Sequence, residues 1–110
     1  MAREQLQTLT EPMYFTLLAI AHQPTHGYEI MKAVADISGG RVTVGAGTMY
    51  ALLTRFEKEF IVRCSNYDGR RKAYTLTDKG REILDREYKR LIDSAAAYEK
   101  YLKGVDFHEI

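Results

Sequence analysis

Hydrophobic and polar positions recur along the chain with helical spacing in four stretches and with strand spacing in two. The first helical stretch runs from Thr10 and Glu11 to the break at Gln23 and Pro24, and Pro12 suits its first turn. The second begins after Pro24, where Thr25 or His26 can cap it, and ends at Gly39 and Gly40. The pattern therefore predicts two short helices in the first third of the chain.

A third helix is predicted over Thr48 to Glu59, preceded by Gly45 and Gly47. Residues 41–44 alternate and predict a short extended segment before these glycines. The apolar positions of the second and third helices recur at three and four residues, namely Ile30, Val34 and Ile37, then Met49, Leu52, Leu53 and Phe56, continued by Phe60. One face of the third helix should therefore pack, and the opposite face should be exposed.

Beyond Phe60 the period becomes two residues, which predicts a β-hairpin. Residues 61–65 form its first arm and residues 72–76 its second, while Tyr67, Asp68 and Gly69 supply turn chemistry between them. The predicted tip carries three successive cations, Arg70, Arg71 and Lys72.

A long helix from Thr77 to Leu102 completes the pattern, with Thr77 as its cap. Its apolar residues recur at alternating intervals of four and three, as in the contact positions of a coiled coil. These residues are Leu84, Tyr88, Leu91, Ala95, Tyr98 and Leu102. Such a helix is longer than so small a globule needs, so we expect it to pack against a second copy of the chain.

Composition narrows the possible functions. The chain has 110 residues, of which 45% are hydrophobic, and its net charge is +1. This length allows one domain, and the charge means that a nucleic acid would be bound by a local patch rather than by the overall field. No apolar run is long enough for a membrane span or a signal peptide, so a cytoplasmic protein is expected.

Residue types that support catalysis or metal binding are sparse. His22 and His26 have ligand spacing, but Pro24 breaks any helix between them and no third ligand is evident. The glycines before Thr48 lack the lysine of a phosphate-binding loop. Cys64, the single cysteine, excludes an internal disulfide and alternates as a small strand hydrophobe. We therefore expect a protein that is not an enzyme and has no cofactor.

The order of these elements is mainly α with a small β-hairpin, which predicts a winged helix-turn-helix followed by a long C-terminal dimerisation helix. The expected division is 1–76 for the DNA-binding domain, 77–103 for the dimerisation helix and 104–110 for a flexible tail. In this geometry the third helix enters the major groove of DNA and the hairpin tip contacts phosphates. The predicted DNA-binding residues are Thr48, Tyr50, Thr54, Arg55, Lys58, Arg70, Arg71 and Lys72.

Each of these assignments has a structural alternative. Arg55 lies four residues before Glu59 and can pair with it instead of with a base. Tyr50 can be a packing residue that exposes only its hydroxyl. Three cations at a turn are also common on ordinary solvated tips.

Several segments resemble the PadR-like family of transcriptional regulators. Residues 47–50 with Leu53, Phe56 and Glu57 resemble the recognition helix of that family, and residues 69–77 with Gly80 resemble its wing and the start of its last helix. His26, Gly27 and Tyr28 resemble the entry to its second helix. The resemblance covers residues 10–102 and implies a homodimeric bacterial repressor with a C-terminal dimerisation helix.

Two positions depart from the family. Phe60 stands where the family usually has a glycine, at the exit from the recognition helix. The family members that bind flat aromatic drugs use a tryptophan on the last helix, whereas this chain has no tryptophan and has Leu91 near that place. That mode of drug binding is therefore not expected here.

A small aromatic effector between the subunits is a further hypothesis, with Phe15, Tyr88, Tyr98 and Tyr101 as candidate lining residues. The alternative is that these tyrosines form the dimer core. The leading hypothesis is a ligand-responsive repressor that binds double-stranded DNA at a pseudo-palindromic operator. The alternatives are a winged-helix adaptor that dimerises without binding DNA, or a small ligand-carrying protein.

Overall fold

The computed structural model describes residues 8–65 and 72–103. In chain order the elements are α1 (Glu11–His22), β1 (Thr25–His26), α2 (Gly27–Ile37), α3 (Ala46–Lys58), β2 (Val62–Ser65), β3 (Ala73–Leu76) and α4 (Asp78–Tyr101). The fold class is confirmed: three helices, a small antiparallel sheet and a long C-terminal helix form a winged helix-turn-helix.

The N-terminal signals of α1 and α4 act as the sequence predicts. The hydroxyl of Thr10 accepts from the backbone N–H of Met13 at 3.3 Å, and that of Thr77 accepts from the N–H of Gly80 at 3.0 Å. Each side chain satisfies one of the amides that a helix leaves unpaired in its first turn. Both helices therefore begin where a capping side chain is available.

The sheet has one strand more than the hairpin. Its order is β1-β3-β2, with Thr25 and His26 of β1 opposite Tyr74 and Ala73 of β3. Two residues are too short for alternation to reveal, so the sequence did not show this strand. His26 precedes α2 as its N-cap, but its side chain makes no capping hydrogen bond.

The extended segment predicted over residues 41–44 forms no strand. Val42 and Val44 nevertheless reach the core, with 7% of each exposed. The hydroxyl of Ser38 holds this loop, since it accepts from the N–H of Val42 at 3.0 Å. The alternation in residues 41–44 therefore reflects the burial of every second side chain, and the backbone does not pair as a strand.

The core lies between α1, α2, α3 and the inner face of the sheet. Its fully buried members include Leu17, Ile20, Ile30, Val34, Met49, Leu53, Phe56 and Ile61. Ile37, the last apolar position predicted for α2, is 38% exposed at the end of that helix. The buried stripe of α3 turns the opposite face of this helix toward solvent.

Phe60 does not continue the apolar stripe of α3: it is 74% exposed and has a φ of +61°. It occupies the left-handed position of a Schellman turn, in which Ile61 N–H donates to the carbonyl of Phe56 at 2.8 Å and Phe60 N–H donates to that of Glu57 at 3.1 Å. The chain reverses at Phe60, which directs its ring outward, and Ile61 takes the buried place instead.

Only the first turns of α4 belong to this core. Gly80, Ile83, Leu84 and Glu87 are buried, whereas every residue from Tyr88 to Lys103 is exposed. The tail predicted over 104–110 lies outside the described residues. The predicted boundary between the DNA-binding domain and the dimerisation helix falls after residue 76. The first turns of α4, which follow this boundary, pack against the N-terminal elements.

Candidate nucleic-acid interface

The two faces of α3 are sharply different. Met49, Leu53 and Phe56 have no exposed surface, whereas Tyr50, about 100° around the helix from Met49, is 50% exposed. The predicted DNA-binding residues of this helix, Thr48, Tyr50, Thr54, Arg55 and Lys58, are all exposed. A shallow groove of about 850 Å³ runs along this face, lined by Tyr50, Ala51, Thr54, Arg55, Lys58 and Glu59.

Arg55 forms the ion pair that the sequence offered as an alternative. Its Nε lies 3.0 Å from Oε2 of Glu59, and the two side chains are 48% and 14% exposed. The ammonium of Lys79 in α4 donates to the backbone carbonyl of Glu59 at 2.8 Å. The end of α3 is therefore held by a cation from α4, as suits the carbonyl-rich terminus of a helix.

Tyr50 both packs and faces solvent. A β-carbon at Gly27 would stand 3.0 Å from its hydroxyl and 3.1 Å from Cε1, so the ring lies directly on the backbone of that glycine. Half of the side chain stays exposed on the outer face of α3. The first turn of α2 therefore sets where the Tyr50 ring lies.

A second groove, of about 340 Å³, joins this face to the hairpin. It is lined by His26, Gly27, Tyr28, Tyr50, Thr54, Lys72 and Tyr74. Lys72 is the one cation of the predicted tip among the described residues, and it is exposed. Arg70 and Arg71 lie outside them.

The base of the hairpin is tied to the start of α2. Nδ1 of His26 donates to the backbone carbonyl of Lys72 at 3.0 Å, beside the pairing of β1 with β3. The position of Lys72 relative to α3 therefore depends on this contact, which links residues 46 apart in the sequence.

Tyr28 and Tyr74 line this groove and were not predicted as site residues. Tyr28 is 61% exposed, and its place directly after the helix-entry glycine is a signal that sequence reasoning had available. Tyr74 is 3% exposed, and burial raises its pKa to about 12, with smaller contributions from Cys64, Glu57 and Tyr50. Its phenol stays protonated at neutral pH and adds no negative charge to the groove.

Most of the residues predicted for a dimer interface form an exposed apolar stripe on α4. Tyr88, Leu91 and Tyr98 are 58%, 41% and 57% exposed, Leu102 is 38% exposed and Ala95 is exposed as well. Ile92, 46% exposed, lies among them and was not predicted. Leu84 is 6% exposed and belongs to the core of its own chain, because α1 covers the first turns of α4.

In the part of the chain that the structure describes, the four aromatic residues proposed for an effector do not line one common groove. Tyr88 lines a groove of about 330 Å³ with Tyr14 of α1, whereas Phe15 does not line it. Phe15 packs edge to face against Tyr14, with 5.3 Å between ring centroids. Tyr98 and Tyr101 follow Tyr88 by about 15 and 20 Å along α4 at 1.5 Å per residue.

The described residues offer little for metal or nucleophilic chemistry. Within residues 8–65 and 72–103, no three His, Cys, Asp or Glu side chains are grouped as metal ligands. Burial, and then the charge of Glu57, raise the pKa of the half-buried Cys64 thiol, which lowers its reactivity. No helix in these ranges has the length and apolar character needed to cross a membrane.

Comparisons with known proteins agree with this geometry. The sequence model described as "Transcriptional regulator PadR-like family" matches residues 16–86, more than half of the chain. The crystal structure of a PadR family transcription regulator from Clostridium difficile superposes with a TM-score of 0.68 at 22% identity, over 84% of this chain and 99% of that one. At this identity the likeness establishes the fold.

Two curated relatives are considerably longer than this chain. An uncharacterised 37.1 kDa protein in transposon Tn4556 of Streptomyces fradiae is 42% identical over 64% of this chain and 20% of its own length. The transcriptional regulator YqjI of Escherichia coli is 26% identical over 60% of this chain and 32% of its own length. The chain thus spans between a fifth and a third of the length of these relatives. With the family match and the fold in agreement, the chain belongs to the PadR-like family of transcriptional regulators.

Proposed function

We propose that this chain is a homodimeric, DNA-binding transcriptional regulator that acts as a ligand-responsive repressor. The observation that carries the proposal is the outer face of α3, where Tyr50, Thr54, Arg55 and Lys58 are exposed together above a buried apolar stripe. Guanidinium, ammonium and hydroxyl groups are the donors that read base edges and phosphates. The family match supports the same function.

On DNA, α3 enters the major groove and the hairpin lies beside it. Lys72 already faces the same side as Tyr50 and Thr54, since all three line one groove. Arg70 and Arg71 precede Lys72 in the sequence and would extend the row of phosphate contacts. The three cations neutralise phosphates, while the side chains of α3 approach the bases.

The apolar stripe of α4 is the proposed dimer seam, from Tyr88 through Leu91, Ala95 and Tyr98 to Leu102. A second copy would cover these side chains, because an exposed apolar stripe of this length is unfavourable in water. Two-fold pairing would place the two α3 helices in major grooves with centres about 34 to 36 Å apart, or at a multiple of that distance. The operator would accordingly be pseudo-palindromic.

Ligand response would arise from the same seam. The groove between Tyr14 and Tyr88 adjoins the stripe and is lined partly by apolar and partly by polar groups, which suits a planar phenolic or cationic compound. A compound bound there would change the angle between the two α4 helices and hence the spacing of the two α3 helices. Titrating the dimer with such compounds, while following tyrosine fluorescence and DNA affinity, tests this part. A set of compounds that bind without changing DNA affinity would contradict it.

DNA binding is tested by fluorescence anisotropy with the DNA upstream of the protein's own gene, over a series of salt concentrations. We expect affinity to fall with salt at a slope of about 0.9 per phosphate contact, and the slope to be shallower in an Arg70→Ala, Arg71→Ala variant. An Arg86→Ala, Lys89→Ala variant removes the same charge from the side of α4 that faces away from the stripe. It should leave the slope unchanged.

The seam has its own test. Leu91→Asp places a charge in the stripe and should give monomers by analytical ultracentrifugation, with a loss of operator binding. Ala97→Asp places the same charge about 140° around the helix from the middle of the stripe and should remain dimeric. A Leu91→Asp variant that is dimeric and binds the operator would refute the seam.

The alternative function is a dimeric adaptor that presents α3 to a protein partner. One observation favours it: Arg55, one of the two cations that line the groove on the α3 face, is already paired with Glu59. Absence of binding to any DNA at low salt would support the adaptor and contradict the regulator.

A further inference from the structure

We propose that Glu59 is a positioning residue that orients Arg55 to read one guanine in each operator half-site. The inference rests on the proposed function, because it needs α3 to lie in a major groove. It assigns the ion pair at the end of α3 a role in base preference rather than in stability alone.

The ion pair occupies only one edge of the guanidinium. Nε of Arg55 donates to Glu59 at 3.0 Å, and among the described residues its Nη1 and Nη2 groups make no hydrogen bond. These two terminal groups form a planar fork, which matches the O6 and N7 acceptors of guanine. The contact with Glu59 therefore leaves free the end of the side chain that can bind a base in two places.

Glu59 is itself well anchored. Its side chain is 14% exposed, its N–H donates to the carbonyl of Arg55 at 3.0 Å, and its carbonyl accepts from Lys79 of α4. The Schellman turn at Phe60 follows immediately. Because these contacts hold Glu59 against the fold, the carboxylate can hold Arg55 in one rotamer before DNA arrives, which lowers the entropy lost on binding.

Lys58 shows the contrast. It is exposed on the same groove, and within residues 8–65 and 72–103 it takes part in no ion pair. A lysine ammonium is a compact point charge on a flexible stem, and it contacts phosphates without distinguishing bases. We therefore expect Arg55, which Glu59 orients, to read a base and Lys58 to contact phosphates.

The Arg55–Glu59 ion pair also predicts an effect on nonspecific DNA binding. Glu59 brings a negative charge close to the DNA, which weakens attraction to every phosphate. A variant without this charge should bind unrelated DNA more tightly while it discriminates less between bases. A purely structural ion pair would instead change both affinities in parallel.

The experiment measures the affinity of the purified full-length protein for the operator found upstream of its gene, for a set of operators with each base pair changed in turn, and for unrelated DNA. Arg55→Lys should lose discrimination at one G·C pair by about tenfold, equivalent to 1.4 kcal/mol. Glu59→Ala should lose at least half of that factor at the same pair and bind unrelated DNA at least as tightly as the native protein. Glu59→Gln keeps an acceptor near Nε and should retain more discrimination than Glu59→Ala.

Glu57→Ala is the matched control, because it removes an exposed acid from the same helix without touching the pair. It should raise affinity for all DNA and leave every base preference intact. Arg55→Lys with unchanged preferences would overturn the inference, as would Glu59→Ala with full discrimination. Neither result contradicts the proposed DNA-binding function. A native protein that binds no DNA at low salt would contradict that function itself.

Discussion

Gly80, in the first turn of α4, lies so close to the backbone of Ile61 that a β-carbon there would stand 2.2 Å from the carbonyl oxygen. The same carbonyl accepts from the N–H of Thr77 at 3.1 Å, and the Thr77 hydroxyl lies 2.9 Å from it. The exit from α3 and the start of α4 are therefore locked together by backbone contacts.

Gly80→Ala should be strongly destabilising, because the clash is with backbone and no flexible side chain can move away. We expect a loss of about 1 to 3 kcal/mol in the free energy of unfolding, as for overpacking of a core. Denaturant unfolding at a fixed protein concentration measures it. Gly47→Ala is the control, since a β-carbon there meets nothing within 4 Å, and it should be neutral or slightly stabilising. Equal stability of the two variants would refute the close contact.

Phe60→Gly should stabilise the protein. Phe60 adopts a φ of +61° and is 74% exposed, so it carries the cost of a left-handed residue with little burial to offset it. Glycine removes that cost but is more flexible when unfolded, which leaves a net gain of about 1 kcal/mol. Phe60→Val should instead lose stability, because a β-branched residue tolerates this φ poorly. Thermal unfolding of the three proteins should therefore rank them glycine, phenylalanine, valine.

Glu87 should make stability fall in acid. The hydrogen bond from Arg90 lowers the pKa of this buried carboxyl below its ordinary value of 4.5, against the opposing effect of burial. The folded state then binds the proton less tightly than the unfolded state. The contribution of the Glu87 carboxylate to the free energy of unfolding is therefore fully present above pH 4.5, and it is lost as pH falls through the lowered pKa.

Comparing unfolding at pH 7 and at about pH 3 tests this linkage. The decrease in the free energy of unfolding from pH 7 to the acidic pH should be smaller in Glu87→Gln than in the native protein. Glu82→Gln changes an exposed acid of the same helix and should lose as much as the native protein. Identical losses in the two variants would show that Glu87 does not contribute.

Gly27→Ala should weaken DNA binding by displacing Tyr50. The added carbon would stand 3.0 Å from the Tyr50 hydroxyl and 3.1 to 3.2 Å from its ring. Because Tyr50 is 50% exposed, the side chain can swing outward at little cost in stability. We expect affinity for the operator to fall severalfold. Anisotropy titrations of Gly27→Ala, Tyr50→Ala and the double variant measure the coupling. Adding Gly27→Ala to Tyr50→Ala should cost nothing further, and an additive loss would contradict the mechanism.

The sequence by itself determined the order of elements and most of their ends. Helices α1 and α4 start at threonines that can cap them, and the apolar period of α3 decides which face is buried, because local spacing and local hydrogen bonding specify both. The exposed residues of the α3 face follow from that period. The family resemblance was also carried by local segments, from the helix-entry glycines to the wing.

The tertiary structure decided what depends on contacts between distant residues. The two-residue strand β1 forms because β3 passes beside it, and Leu84 is buried because α1 and β3 pack against α4. The outward turn of Phe60 reflects a Schellman motif that ends in the core at Ile61. The sequence does not show why a glycine stands at position 80 within a helix. The reason is tertiary, because the carbonyl of Ile61 occupies the space that a β-carbon would need. Local patterns encode which face of an element is buried, whereas the neighbour that covers it is chosen only when the chain folds back on itself.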